Sequence, residues 1–400
     1  MSCVCVLCTS VLLAVLMLCG AVPESQVPVS YGERGSNLGL QVFRRVVQEK
    51  PQENVVLSPH GVASILGMLL PGAHGNTKRQ LIAGLRYKKK GPYKILRKLH
   101  KTLTSKSNTD LVTIANALFP QEGFDMHDDF LEASRDNFMA DSHSLDYRNP
   151  QQAADFINEW VSNRTKGHIQ NLVQPDILDP TLTRLVAVNS IYFKGLWKSR
   201  FNAQNTKMRT FTGGDGKSYK VPMMSQLSIF NIGMANTPDG VKYRVIELPY
   251  HGNSMSMFIA LPSDESTPLA AIMPHLSTET VHGWGSVMHQ GKIRLLLPKF
   301  TAEAEVDLEG PLSAMGIRDL FIEGKADFRH LSSEPVHVSK ALQKAKIEVN
   351  EDGTKAAVAT TAIVLARSSP PWVIVDRPFV FLIRHNPTGT ILFSGQINKP

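Results

Sequence analysis

The bond between Arg367 and Ser368 is where this chain most plainly invites chemistry. A lone arginine closes a run of small and β-branched residues, Ala356 to Ala366, and Pro370 and Pro371 follow it closely. Trypsin-like serine proteases take arginine into an acidic pocket and attack its carbonyl with their serine. The segment therefore carries the residues of a substrate. Competing sites are poorer: Arg377 precedes Pro378, Arg384 lies in an apolar strand-like stretch, and Lys355 stands too near the start of the run.

A second chemistry lies upstream. Arg86, Lys88, Lys89, Lys90, Lys94, Arg97, Lys98, Lys101 and Lys106 follow one another with no acidic residue between them. The whole chain has a net charge of +8, so the basicity is this one patch and the rest is close to neutral. Turned by about 100° per residue, Lys94, Arg97, Lys98 and Lys101 fall on one side of a helix and Leu96, Leu99 and Leu103 on the other. Like charges at those spacings repel, and a dense polyanion would relieve the repulsion by releasing its own counterions. From the residues alone, a solvated basic face with no ligand is the simpler reading. Only Tyr87 and Tyr93 interleave the cations, which argues against single-stranded nucleic acid.

Motifs for an enzyme are missing: there is no G-x-S-x-G, H-E-x-x-H, G-x-G-x-x-G or P-loop. Cys3, Cys5, Cys8 and Cys19 all fall in residues 1–22, an apolar segment that reads as a secretory signal peptide, with a retained membrane anchor as the alternative its length allows. The mature chain, 23–400, would then hold no disulfide, thiolate nucleophile or cysteine-based metal site, and no cofactor is expected. Asn163-Arg164-Thr165 is the one glycosylation sequon.

Elements must position these residues. Thr354, Ala356, Val358, Thr360, Ala362 and Val364 share one face of an extended strand, which by itself also suits an ordinary edge strand. Ser58 and Pro59 supply cap and first-turn chemistry for a buried helix. Leu185 to Phe193 reads as a continuous apolar strand that continues to Gly195 and Trp197. Helical patterns dominate the first half and alternating ones the second, giving an α+β architecture with large, mainly antiparallel sheets. No linker or repeat divides the 400 residues, and 42% hydrophobic content supports one large core.

Taken together these stretches resemble the serpins. The resemblance covers the chain from Asn54 to its end. It rests on Glu351, Gly353 and Thr354 at family distance from Arg367, on Asn54 to Thr77, on Leu185 to Trp197, and on the C-terminal pair Asp376 to Ile383 and Pro387 to Gly395. It implies a single-domain serpin fold with an exposed reactive-centre loop, 351–371, whose hinge is Glu351, Gly353, Thr354, Ala356 and Val358. It further implies a shutter and breach at Ser58, Asn189, Trp197 and Lys299, with Lys299 pairing Glu351. Heparin or heparan sulfate is the implied ligand of Lys94, Arg97, Lys98, Lys101 and, in a loop, Lys88, Lys89 and Lys90.

The implied activity is suicide inhibition of trypsin-like serine proteases, with thrombin, plasmin, plasminogen activators and trypsin as candidate targets. The implied protein is secreted, glycosylated, monomeric, held at cell surfaces or matrix through glycosaminoglycans, and open to an endocytic clearance receptor. A non-inhibitory carrier is the alternative. Two residues depart from the family pattern: Gln343 stands where many members have a shutter histidine, and Val358 is larger than the usual hinge residue.

Overall fold

The strand Leu185–Phe193 is buried at every position, without the polar alternation of a sheet facing water. Its odd residues Leu185, Ala187, Ile191 and Phe193 pack into the interior, and its even residues Val186, Val188 and Tyr192 pack toward the helix Pro150–Arg164. A strand covered on both faces is the middle layer of a sandwich, and the fold is built outward from it. The protein is described by a computed structural model covering residues 31–87, 93–105, 112–352 and 369–400, of which Tyr31–Pro400 belongs to one compact unit. The expected signal peptide 1–22, the loop cations Lys88, Lys89 and Lys90, and Gly353, Thr354, Ala356, Val358, Arg367 and Ser368 lie outside the described residues.

Among the described residues the first sheet has five strands, in the order Phe300–Asp307, Lys340–Val349, Leu185–Phe193, Val112–Pro120 and Asp141–Ser142. Its central pair is parallel, with Lys340 opposite Val186 and Ile347 opposite Phe193. The strands flanking that pair, Phe300–Asp307 and Val112–Pro120, run antiparallel to their neighbours. A second sheet, with nine strands among the described residues, includes the C-terminal hairpin Phe379–His385 and Thr390–Ile397 and ends at the short strand Trp372–Ile374.

The architecture is α+β and mainly antiparallel as expected. Among the described residues three strand pairings depart from antiparallel: the central pair, Val112–Pro120 with Asp141–Ser142, and His289–Pro298 with Trp372–Ile374. Parallel neighbours need a long crossover. Between Phe193 and Lys340 it is supplied by most of the second sheet.

Beneath the central pair lies the helix Pro59–Leu69, buried along its whole length. Ser58 caps it by accepting a 2.9 Å hydrogen bond from the Gly61 N–H, and Pro59 occupies the first turn, where a missing N–H costs nothing. Gly61 is required by contact: a Cβ there would lie 1.9 Å from Asn189 Oδ1 and 2.3 Å from Gln343 Nε2.

Candidate functional site: the sheet seam and its hinge

The strand Lys340–Val349, here the hinge strand, runs directly into Asn350, Glu351 and Asp352. These three residues are held in place. The Trp197 indole N–H donates to the Asn350 carbonyl at 2.8 Å and its backbone N–H donates to the Asp352 carbonyl at 3.0 Å. The indole in turn stacks on Tyr250, with centroids 4.4 Å apart and planes 10° from parallel.

Glu351 accepts from Lys299 Nζ at 3.0 Å and from the Thr206 hydroxyl at 2.8 Å. Burial pushes its carboxyl up, but the hydrogen bonds from Lys299 and Thr206 and the lysine's charge together outweigh burial and hold it below the usual range. Lys194 reaches Asp352 at 3.5 Å.

Lower on the seam between the two central strands, a row of amides crosses three strands. Gln343 faces Asn189, and Asn189 faces Asn116, in ladder register. Gln343 Nε2 donates to Asn189 Oδ1 at 3.2 Å and to the Ser58 carbonyl at 2.9 Å, while its Oε1 accepts from the Ser58 N–H at 2.8 Å. Asn189 Nδ2 donates to Asn116 Oδ1 at 2.8 Å, and Asn116 Nδ2 donates to the Phe138 carbonyl at 2.8 Å. All four side chains are buried. A satisfied buried network is stable and specific. With Gln343 in place of histidine it carries no titratable group.

The basic helix is present as Tyr93–Leu103. Leu96, Leu99 and Leu103 are buried as the helical wheel requires, and so is His100, which sequence reasoning left unassigned. Lys98 and Lys101 are exposed. Arg97, placed by the helical wheel among the cations, is partly exposed and engaged in an ion pair that the sequence did not announce. Its guanidinium pairs with Asp136 at 2.5 Å, on the neighbouring helix Asp128–Phe138, and its Nε is buried. Lys94 lies on the helix, outside the described side chains. Asn163 is exposed in the last turn of Pro150–Arg164.

The loop's far anchor lies in the other sheet. Pro371 O accepts from the Arg294 N–H at 3.0 Å, and the Arg294 guanidinium sits 5.1 Å from the Trp372 ring. Sixteen residues, 353–368, separate Asp352 from Ser369, more than the ten of the hinge strand. The structure thus brings Ser58, Asn189 and Gln343 together at the seam and Trp197, Lys299 and Glu351 at the hinge. Lys98 and Lys101 lie exposed on the basic helix and belong to neither cluster. Asn116, Thr206 and Tyr250 complete these clusters and were missed; only Asn116, a lone amide in an apolar strand, left a signal.

Comparison with known proteins agrees with this geometry. The family profile Serpin (serine protease inhibitor) matches residues 33–400. Glia-derived nexin of Rattus norvegicus is 56% identical over 373 residues, which span 93% of this chain and 94% of that protein. Plasminogen activator inhibitor 1 of Sus scrofa is 43% identical over 368 residues, 91% of each. The crystal structure of native protease nexin-1 with heparin superposes with a TM-score of 0.89 at 53% identity, covering 92% of this chain and 99% of that one. With a profile spanning nearly the whole chain and relatives above half identity, the chain belongs to the serpin family of serine protease inhibitors.

Proposed function

We propose that the chain traps trypsin-like serine proteases as a suicide substrate cleaved between Arg367 and Ser368. The protease serine attacks the Arg367 carbonyl, its proton passing to the protease histidine and then to the leaving Ser368 amine, so that an acyl-enzyme ester remains on Arg367. This chain contributes no catalytic group. Its part is to move the acylated protease before water reaches the ester.

The observation that carries the reading is the parallel central pair joined to the hinge. A segment leaving Val349, reversing over 350–352 and returning along the seam runs antiparallel to the hinge strand. Because Leu185–Phe193 is parallel to that strand, the segment is antiparallel to it as well. One parallel ladder becomes two antiparallel ones, which bond slightly better per residue. A dozen new ladder hydrogen bonds at about 1 kcal/mol net each, with burial of the Ala/Val/Thr face, give a driving force on the order of 10 kcal/mol. Gly353, Thr354, Ala356 and Val358 form the entering hinge, Val358 being its bulkiest member. Asn350 to Asp352, fixed by Trp197 and Lys299, form the pivot.

Heparin or heparan sulfate is the accelerating ligand of the basic helix, through Lys98 and Lys101 first, with Lys94 and Lys88 to Lys90 extending the track. That protease nexin-1 has been solved with heparin supports this reading. A polyanion long enough to hold both partners raises the encounter rate. Thrombin, plasmin, plasminogen activators and trypsin are the targets to test. The chain acts outside the cell after loss of residues 1–22, as a monomer with a glycan on Asn163, bound to surface glycosaminoglycans and cleared by an endocytic receptor.

The test is a denaturing gel after mixing with trypsin or thrombin. A covalent complex resistant to denaturant is expected, faster with heparin. A product cut at Arg367 with no complex would mark a non-inhibitory carrier.

A further inference from the structure

Outside the basic helix the cations are not spread evenly. From Lys194 to Lys220 the chain carries seven basic residues against one acidic, Asp215. Acidic residues elsewhere offset this stretch, so it is hidden in a remainder that is neutral on average. The fold gathers part of it on one hairpin, the strand Lys207–Thr212 against the first residues of Ser218–Asn236. Every residue of Lys207–Thr212 except Phe211 is exposed, and among the described residues the strand pairs with no other neighbour.

Lys207 faces Met223, Arg209 faces Val221, and Lys220 faces Thr210, whose hydroxyl accepts from Lys220 Nζ at 3.0 Å. Lys399 joins them from the C-terminus, its Nζ 4.1 Å from the centre of the Tyr219 ring. Arg200 is held to the same strand by its carbonyl, which accepts from Gln226 Nε2 at 2.6 Å, three positions beyond Met223. All five cations are exposed, and among the described residues none pairs with a carboxylate. Asp215 is taken up by the turn, accepting from the Tyr219 hydroxyl at 2.6 Å and the Lys217 N–H at 3.0 Å. The site begins beside the hinge, since Thr206, which donates to Glu351 at 2.8 Å, directly precedes Lys207.

We propose that this hairpin is a second binding site for a sulfated polysaccharide, distinct from the helix Tyr93–Leu103, with Lys207, Arg209 and Lys220 as its centre and Arg200 and Lys399 extending it. Only the class of ligand rests on the heparin reading above. Unpaired cations crowded on one edge repel, and a linear polyanion relieves them while releasing its own counterions. Lysines on an open edge also keep a strand from pairing with another chain, but Arg200 and Lys399 lie off that edge and serve no such purpose. Tyr219 is already covered by Lys399, which leaves no platform on which bases could stack. Met208 is the one exposed apolar side chain of the strand, too little for a face that lies in a membrane.

The experiment measures heparin binding against salt for four full-length forms: the parent, Lys98→Ala with Lys101→Ala, Lys207→Gln with Arg209→Gln, and all four changes together. The hairpin pair should reduce the slope of log affinity against log salt by about 2, and should do so again when the helix pair is already changed. Titration with a short heparin oligosaccharide should give two sites per chain in the parent and one in the hairpin variant. The replaced residues are exposed, so the urea midpoint should stay at the parent value. A measurement that needs no variant is acetylation of the parent protein, in which the oligosaccharide should slow modification of Lys207 and Lys220.

An unchanged slope in the hairpin variant, one oligosaccharide per parent chain, or equal acetylation with and without the oligosaccharide would overturn the second site and leave the helix reading standing. So would a variant that aggregates while its slope is unchanged, since that is the mark of cations that only guard an edge. A hairpin variant that loses affinity while the helix pair has no effect would uphold the second site and refute the helix reading instead.

Discussion

Lys299 Nζ lies 3.0 Å from Glu351 Oε2, joining the strand-to-strand corner beneath the hinge to the second residue past the end of the hinge strand. The lysine is about half exposed and the glutamate mostly buried, at 48% and 14%. Lys299→Met should therefore cost the intact protein only about 1 kcal/mol or less in urea unfolding. The sign with pH follows from Glu351, whose folded carboxyl is held below its ordinary 4.5. Its contribution is present above that value and disappears as pH falls through the lower folded one. Parent and variant should converge in strong acid; a gap that widens there would refute the pairing.

The amide row at the seam predicts a larger effect. Gln343→Ala removes the acceptor for the buried Ser58 N–H and a donor to Asn189, at about 1–3 kcal/mol for each group left unsatisfied. Asn189→Ala should cost a similar amount by breaking the link to Asn116. Urea midpoints measure both, and the double variant should lose less than the sum, because the residues share a bond.

Acid stability depends on three buried histidines. Burial pulls His60 down to about 3 and His100 to about 4, and lowers His385, all from 6.5. The His60 Nε2 has no partner among the described residues. The unfolded chain takes up protons near 6.5 while the folded one does not. Stability is therefore complete above 6.5 and declines as pH falls from there toward the folded values. At pH 5, His60 and His100 should each account for about 2 kcal/mol of that decline. His60→Gln should flatten the curve of unfolding free energy between neutrality and pH 5, and an unaltered slope would contradict the assignment.

On the basic helix the cations should not be equal. Lys98→Ala and Lys101→Ala should each weaken heparin retention and reduce the slope of log affinity against log salt by about 1. Arg97→Ala should change that slope less and fold stability more, because Arg97 is engaged with Asp136. Equal slope changes at all three positions would mean that Arg97 leaves Asp136 for the ligand.

What could be read in advance had local signatures. The Ser58-Pro59 cap, the apolar run Leu185 to Phe193, the closing hairpin and the leucine face opposite Lys98 and Lys101 each follow from residues a few positions apart. Lys299 and Glu351 were legible only through family resemblance, since nothing local to either points to the other. The ion pair of Arg97 left no local trace because its partner, Asp136, arrives on a later helix. Lys344 and Lys346, on the hinge strand, left no signal in the sequence, because their acceptors are the backbone carbonyls of Gln170, Asn171 and His168, more than 170 residues earlier. Side-chain type carries no trace of a backbone acceptor, and pairings across such separations are set by topology.

The most direct test of the central claim is the thermal unfolding of the protein before and after cleavage at Arg367-Ser368 by a protease that is then removed. Entry of a strand between the hinge strand and Leu185–Phe193 predicts a cleaved form that melts far above the intact one and resists urea. A midpoint that is unchanged or lower after cleavage would mean that no strand enters and that the seam stores nothing.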